Sequence, residues 1–113
     1  MQVTAEMIPG IVAEARAAAE QAATDFYENQ LGGRDSYACG FAWVNIYGVK
    51  MNTKLGKAFK ALGLDKDYSG AICWWNPSNM GAQNIDTKEV GANAAAKVLQ
   101  KYGFSAYSNS RLD

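Results

Sequence analysis

The chain contains no histidine, and this absence removes the commonest general base in enzymes and the usual partner of a serine or cysteine nucleophile. Only two cysteines are present, too few for a structural zinc site when imidazole ligands are lacking. We therefore expect no metal and no cofactor. The composition favours a protein that binds over one that catalyses.

An excess of charge and long hydrophobic runs are lacking as well. The 11 basic and 11 acidic residues cancel, whereas nucleic-acid-binding proteins normally carry a basic excess. No apolar run approaches the roughly 20 residues of a membrane span, and the N-terminal residues lack the basic and apolar regions of a secretory signal. The sequence thus predicts a cytoplasmic protein with no membrane partner, and it argues against nucleic acid as the target.

Apolar residues are abundant enough, at 49%, to build the core of a single domain over residues 1–113. Apolar positions that recur every three or four residues predict a long helix over residues 4–31, in which Pro9 fits only the first turn. The apolar stripe of this helix is mostly alanine, which indicates close packing within the chain or against a second copy. We assign residues 1–33 to this N-terminal helix and residues 37–113 to a βαβαβ core.

Period-two alternation predicts a strand over residues 37–47, and an apolar run predicts a second strand over residues 71–76, which Pro77 ends. Adjacent Trp74 and Trp75 should point to opposite faces of the sheet. Each predicted strand contains one cysteine, and we expect buried free thiols rather than a disulfide. One face of the first strand is aromatic, and it forms either a second core layer or an open surface for a flat ligand or a partner side chain. That face consists of Tyr37, Cys39, Phe41, Trp43, Asn45 and Tyr47.

Two further helices and a last strand complete the predicted core. Asn52 is expected to cap a helix that ends at Leu62, and a third helix over residues 87–102 precedes a strand over residues 104–107. The order helix, strand, helix, strand, helix, strand indicates the α/β (or α+β) class, with a small three-stranded, mostly parallel sheet and helices packed on it. The open edges of such a sheet would permit a homo-oligomer.

The stretch over residues 74–89 is the predicted functional site. Two tryptophans lead into a polar loop, and Asp86 with Glu89 matches the spacing of a capping box at the start of the third helix. The similar start of the second helix suggests that both helix N-termini share one edge of the sheet, where they would hold an anion. Tryptophan would stack on the ligand, and carboxamides would supply hydrogen bonds. The candidate binding residues are Trp43, Asn45, Asn52, Lys54, Trp75, Asn76, Ser78, Gln83, Asn84, Asp86 and Arg111.

A small enzyme remains an alternative. Cys73 lacks a visible base to activate it as a nucleophile. Arg111 would join the site only if the polar C-terminal tail folded back to pair with Asp86, and a frayed tail explains the sequence equally well. The residues available as acid, base or anion clamp are Asp86, Glu89, Lys54, Lys88 and Arg111.

Nucleic-acid binding is a second alternative. It would use the lysines at positions 50, 54, 57 and 60, which cluster on one side of the second predicted helix. A solvated helix face explains the same pattern.

Several segments resemble a group of small uncharacterised bacteriophage proteins. They are residues 40–44, 52–56, 75–78, 86–92 and 110–113, and the resemblance covers roughly residues 38–113 without the N-terminal helix. The Trp-Asn-Pro-Ser loop and the Ser-Arg-Leu-Asp ending are its most specific parts. Small phage accessory proteins often inhibit host systems stoichiometrically, including defence systems. The resemblance therefore implies a binding protein of the host cytoplasm that antagonises a host protein or sequesters a small anionic, nucleotide-like ligand.

Overall fold

The structure, a computed structural model, describes residues 2–35, 38–82 and 84–113. It confirms a mixed α/β architecture with a long N-terminal helix, and a short 3-10 turn over Ala5–Met7 leads into that helix. Among the described residues, no helix is both long and apolar enough to cross a membrane. The helices are α1 (Ile8–Asn29), α2 (Lys54–Ala61) and α3 (Ile85–Lys101), and the strands are β1 (Gly40–Tyr47), β2 (Asp65–Lys66), β3 (Ile72–Trp75) and β4 (Ser105–Leu112).

The strands form one antiparallel sheet in the order β2-β3-β1-β4, so the expectation of a mostly parallel sheet was wrong. The reason is β2, a strand of two charged residues that no alternation signals. Its tight hairpin with β3 places β3 between β1 and β2, and β1 itself lies between β3 and β4. Each crossover, β1-α2-β2 and β3-α3-β4, therefore joins two strands of like direction across one antiparallel strand. This is the split βαβ arrangement of ferredoxin-like folds.

The core lies between the helices and one face of the sheet. Alternation along β1 turns Ala42, Val44 and Ile46 toward the helices, and all three are buried. The neighbouring strand contributes Ile72 and Trp74 to the same buried cluster. Trp74 and Trp75 thus point to opposite faces, as the sequence predicts.

The alanine stripe of α1 packs on α3 rather than on the sheet or a second copy. Ala15 and Ala19 of α1 and Ala92 and Ala95 of α3 are fully buried. At Gly91, an added Cβ would lie 3.3 Å from the Ala19 carbonyl oxygen, so the two backbones approach closely. Apolar spacing in the sequence also predicts a buried stripe on the third helix at Val90, Ala94, Val98 and Tyr102, but these residues are only half-buried. The buried face of α3 instead includes Gly91, Ala92, Ala95, Ala96 and Leu99.

The helix starts differ from the predicted caps. The Thr53 hydroxyl, not Asn52, accepts a hydrogen bond from the Gly56 backbone N–H at 3.1 Å and caps α2. At α3, the Asn84 carboxamide oxygen accepts from the Thr87 N–H at 2.8 Å. All of these residue types cap helices, so type alone does not locate a helix start.

The predicted capping box at α3 was therefore wrong. Asp86 is the second residue of the helix and is exposed. The Glu89 carboxylate accepts a hydrogen bond from the Ser110 hydroxyl at 3.0 Å instead of reaching back to Asp86. This bond ties the first turns of α3 to β4.

The C-terminal residues form a full strand rather than a short one with a frayed tail. β4 pairs with β1 along its whole length, from Ser105 opposite Tyr47 to Leu112 opposite Gly40. Among the described residues the ion pairs are Lys60–Asp65 and Lys101–Glu14, so the suggested pair between Arg111 and Asp86 is not formed. Strand pairing with β1 and the hydrogen bond from Ser110 to Glu89 hold this segment in place.

Candidate functional site

One face of the sheet is open. Trp75, Tyr47 and Tyr107 point away from the helices and are 51%, 46% and 56% exposed. Within the described parts of the chain, the buried core cluster takes none of its members from this side. The aromatic face is therefore a surface and not a second core layer. We define the open face as Phe41, Trp43, Asn45, Tyr47, Cys73, Trp75, Tyr107, Asn109 and Arg111.

The aromatic side chains of the open face are in mutual contact. Trp43 and Trp75 lie directly opposite each other on β1 and β3, and their rings stack with centroids 5.4 Å apart and planes 9° apart. Phe41 meets Trp75 at 5.4 Å with a 35° tilt. Tyr47 and Tyr107 form a second pair at 6.4 Å. These offset and tilted geometries are the ones that aromatic pairs prefer, so the rings are ordered although they face solvent.

A buried asparagine supports the centre of this face. Asn45 is only 5% exposed, and its carboxamide oxygen accepts from the Trp43 indole N–H at 3.0 Å and from the Asn109 side-chain amide at 2.6 Å. Its own amide donates to Asp67 at 3.3 Å. Hydrogen bonds from Ser69 and Asn45 lower the pKa of Asp67 from its usual value. Asn45 therefore orients Trp43 rather than presenting its own amide to a ligand.

Two cations flank Phe41 at one end of the open face. The Arg111 guanidinium carbon lies 5.5 Å from the ring centroid of Phe41, and the Lys88 ammonium lies 5.3 Å from it. Lys88 is buried and donates to the Gly40 carbonyl oxygen at 2.8 Å, whereas Arg111 is exposed. Neither cation belongs to an ion pair within the described residues. This end of the face therefore combines an exposed guanidinium with an aromatic ring.

A cavity of about 330 Å³ adjoins Trp75, between α1 and the loop that follows β3. It exists because β2 pairs only with the first half of β3 and leaves Trp74 and Trp75 at an edge of the sheet. The Arg16 guanidinium carbon lies 5.6 Å from the Trp74 ring centroid, a distance within the range of cation–π contacts. The cavity is lined by Arg16, Trp74, Trp75, Asn76, Pro77 and Asn79.

The loop beside the cavity is a tight turn built on two asparagines. Asn76 and Asn79 have φ angles of 46° and 54°, which asparagine tolerates better than most residues. The Asn76 amide donates to the Met80 carbonyl oxygen at 3.3 Å, and its oxygen accepts from the Ser78 hydroxyl at 3.3 Å. Ser78 is buried against α3 at Gly91. Asn76 and Ser78 therefore shape the loop, while Asn79 is exposed.

The structure brings together part of the predicted site. Trp43, Asn45, Trp75 and Arg111 share the open face, and Asn76 follows in the adjoining cavity. At the start of α3, Asn84 is fully buried as the helix cap and donates to an Asp35 carboxylate oxygen at 2.8 Å, while Asp86 is exposed in the first turn of the helix. Gln83 lies outside the described residues, as does Tyr37 of the predicted aromatic face.

Asn52 and Lys54 do not belong to this site. Both follow the end of β1 at Tyr47, whereas α3 starts beside the beginning of β1, at Gly40. The shared anion-binding rim of two helix N-termini was therefore a wrong prediction, because antiparallel strands send the two helix starts to opposite ends of the sheet. Asn52 instead lines a separate surface cavity of about 510 Å³ with Lys50 and Lys66.

The residues considered for catalysis do not converge. Lys54 lies at the opposite end of the sheet from Asp86, and Lys88 is held by a backbone carbonyl. Burial, together with the charge of Asp67, raises the pKa of the half-buried Cys73 thiol, which disfavours the nucleophilic thiolate. Cys39 is exposed, contrary to expectation, and both thiols are free. Among the described residues no cluster of three metal-ligating side chains occurs.

Arg16 and Tyr107 belong to the site although sequence reasoning did not select them. Arg16 lies outside the apolar stripe of α1, so the sequence pattern predicts that it faces solvent. Only the tertiary fold places it over Trp74. Tyr107 had a usable signal, because small side chains alternate with larger ones over residues 106–111 and place Tyr107 on the same side as Arg111.

No protein-family model, curated protein or solved structure matches the chain.

Proposed function

We propose that this protein acts by stoichiometric binding of a host-cell protein, without catalysis, and that the open face is the binding surface. The main observation in support is Trp75, which stacks on the Trp43 ring and is still half exposed to solvent. Contiguous exposed aromatic surface of this kind marks interaction sites in folded proteins.

The residue types of the open face support a protein target. Tryptophan, tyrosine and arginine dominate the energetics of protein interfaces, and Trp75, Tyr47, Tyr107 and Arg111 are all exposed here. The ring contacts and the Asn45 hydrogen bonds hold the aromatics in place before binding. Little side-chain entropy is then lost when a partner docks.

The partner chemistry follows from the shape and charge of this face. The 22 strand residues, at the usual strand rise and spacing, give the sheet a projected area of about 360 Å². This is less than the roughly 800 Å² that each partner contributes to a standard interface. We expect contact to continue onto the loop at residues 76–82. Arg111 lies beside Phe41 and forms no ion pair within the described residues. We therefore expect the partner protein to offer an apolar patch with a neighbouring carboxylate.

The resemblance to small phage proteins supplies the biological context of the proposal. In that context the partner is a protein of the infected cell, and the outcome of binding is antagonism of a host system. The zero net charge is compatible with a protein partner and gives no support to a nucleic acid bound through its phosphates.

The test compares capture of a host protein by the wild type with capture by Trp75→Ala and Tyr107→Ala. Both variants should bind the captured protein at least about tenfold more weakly, as truncated hot spots do, with unchanged circular dichroism. The matched control is Tyr68→Ala, because Tyr68 is fully exposed in the β2–β3 turn outside the open face. Equal binding by all three variants would refute the proposal.

A second candidate function, sequestration of a small anionic ligand, is favoured by a different observation. The cavity beside Trp75 contains an arginine and carboxamides and no acidic residue among its lining side chains. Its size, about 330 Å³, falls at the lower end of the range typical of small-molecule sites.

A further inference from the structure

We propose that the cavity beside Trp75 binds a free nucleotide, with its phosphate at Arg16 and its base on the exposed part of the Trp75 indole. The proposal develops the second candidate function and requires no protein partner. It involves one side chain that the sequence analysis did not select, Arg16, and one that it did, Trp75.

Arg16 is positioned to receive an anion. Its guanidinium lies over the ring of Trp74, which is buried and therefore a fixed support. Glu20, one turn further along α1, is the acid best placed to neutralise it, yet Arg16 forms no ion pair in the described part of the chain. An arginine that is held on an aromatic ring and lacks a carboxylate partner retains its planar set of donors for a phosphate.

Trp75 provides the surface for a base. Trp43 stacks on one side of the Trp75 indole, Trp75 is nevertheless 51% exposed, and it is one of the residues that line the cavity. Stacking of a base on an aromatic ring is favourable and tolerant of base identity. The exposed Asn79 lies at the same cavity, where its carboxamide can donate to a phosphate or to a base edge.

Size and charge select a free nucleotide over a nucleic-acid strand. A cavity of about 330 Å³ is no larger than one mononucleotide requires. Among the described residues that line it, Arg16 is the only cation, whereas binding along a strand needs a cationic groove that follows successive phosphates. The chain as a whole carries no net charge.

The experiment is isothermal titration calorimetry of the full chain with AMP, adenosine and inorganic phosphate. We expect saturable binding of AMP, with adenosine at least about tenfold weaker because it lacks the charge-assisted contact. Arg16→Gln should reduce AMP affinity to the level of adenosine. Trp75→Leu should weaken AMP and adenosine by a similar factor, at least about fivefold, because stacking is common to both.

The matched control is Arg34→Gln, since Arg34 is an exposed arginine in the loop after α1 and lies outside the cavity. Its AMP affinity should equal that of the wild type. No saturable AMP binding at millimolar concentration, or equal AMP affinity in Arg16→Gln and the wild type, would overturn the proposal. So would tighter, salt-sensitive binding of a short oligodeoxyadenylate that Arg16→Gln leaves unchanged.

The nucleotide proposal and the protein-binding proposal fail separately. Tyr107 lies on the open face and outside the cavity, so Tyr107→Ala should leave AMP affinity unchanged. Arg16 lies on α1 and outside the open face, so Arg16→Gln should weaken capture of a host protein far less than Trp75→Ala does. Loss of both activities in Arg16→Gln with normal circular dichroism would contradict the assignment of Arg16 to the nucleotide alone.

Discussion

Trp43 and Trp75 face each other across two central strands and stack with their ring planes 9° apart, on the side of the sheet that no helix covers. Large aromatic pairs usually lie in a core, where neighbouring side chains fix their geometry. Here the geometry is fixed by strand register and by the hydrogen bond from the Trp43 indole to Asn45. The pair therefore remains ordered while one partner stays accessible to a ligand.

The stacking energy of this pair is measurable by a double-mutant cycle. We expect Trp43→Ala and Trp75→Ala to be coupled by about 0.5–1.5 kcal/mol in urea unfolding, since each truncation removes the same ring contact. The cycle between Trp43→Ala and Tyr68→Ala is the control, because Tyr68 makes no described ring contact with Trp43. A coupling equal to that of the control would show that the stack contributes nothing.

Asn84 and Asp86, the observed and the predicted N-cap of α3, should differ in their contribution to the free energy of unfolding. Asn84 is buried, caps Thr87 and bonds Asp35, so Asn84→Ala should cost about 1–3 kcal/mol of unfolding free energy. Asp86 gains mainly the helix-dipole interaction, so Asp86→Ala should cost less than about 1 kcal/mol. The free energy of unfolding of both variants, measured by chemical denaturation, tests this difference. A larger loss for Asp86→Ala than for Asn84→Ala would restore Asp86 as the cap.

Two glycine-to-alanine changes in helices should have opposite signs. At Gly91 an added Cβ would lie 2.8 Å from the Ser78 Cβ, so Gly91→Ala forces α3 away from its neighbours and should destabilise by about 1–3 kcal/mol. At Gly10, in α1, no atom of the described residues lies within 4 Å of the new Cβ. Gly10→Ala should therefore stabilise by about 0.5–1 kcal/mol. Thermal unfolding reports both shifts, and a loss at Gly10 would contradict its open surroundings.

Acid should weaken the contact between α1 and α3 through Glu14. Hydrogen bonds from Lys101 and Tyr102 lower the pKa of Glu14 from its usual value of 4.5. A lowered folded-state pKa means that this stabilisation is present above pH 4.5 and is lost as the pH falls through the folded-state value.

The measurement is the melting temperature as a function of pH. Below pH 4.5 the wild type should lose melting temperature more steeply than Glu14→Gln, which cannot protonate at that position. Glu20→Gln, a change at an exposed glutamate of the same helix, is the control and should follow the wild-type curve. Parallel curves for the wild type and Glu14→Gln would show that the contact contributes nothing to acid stability.

A helix or strand could be predicted from the sequence where its apolar periodicity reflects one buried face. The alternation of β1 and the apolar periodicity of α1 reflect one buried side each, and both elements are observed. β2 and the second half of β4 escaped prediction because an edge strand with little burial needs no apolar alternation. Asp65–Lys66 and Ser108–Leu112 are polar or exposed and are held by main-chain pairing.

The candidate site, too, could be predicted only in part. Trp75 and Arg111 were identified from residue type, but the openness of their face depends on where the helices pack, which no local pattern encodes. Arg16 contributes only because α1 crosses the sheet near Trp74. The anion-binding rim predicted at Asn52 and Asp86 depended on a parallel sheet. The short hairpin of β2 and β3 makes the sheet antiparallel, so the two helix starts lie at opposite ends of it.

The central position of β1 has a consequence for how the chain folds during synthesis. β1 is the first strand to emerge, yet both of its partners come later, and its first residue, Gly40, pairs with Leu112. Contacts between such distant residues require closure of long loops and slow the search for the native state. A nascent chain that has not yet completed β4 leaves β1 unpaired on one edge, and such an edge invites pairing with other chains. We therefore expect the sheet to close only after residues 105–112 have been synthesised, since they form the second partner strand of β1.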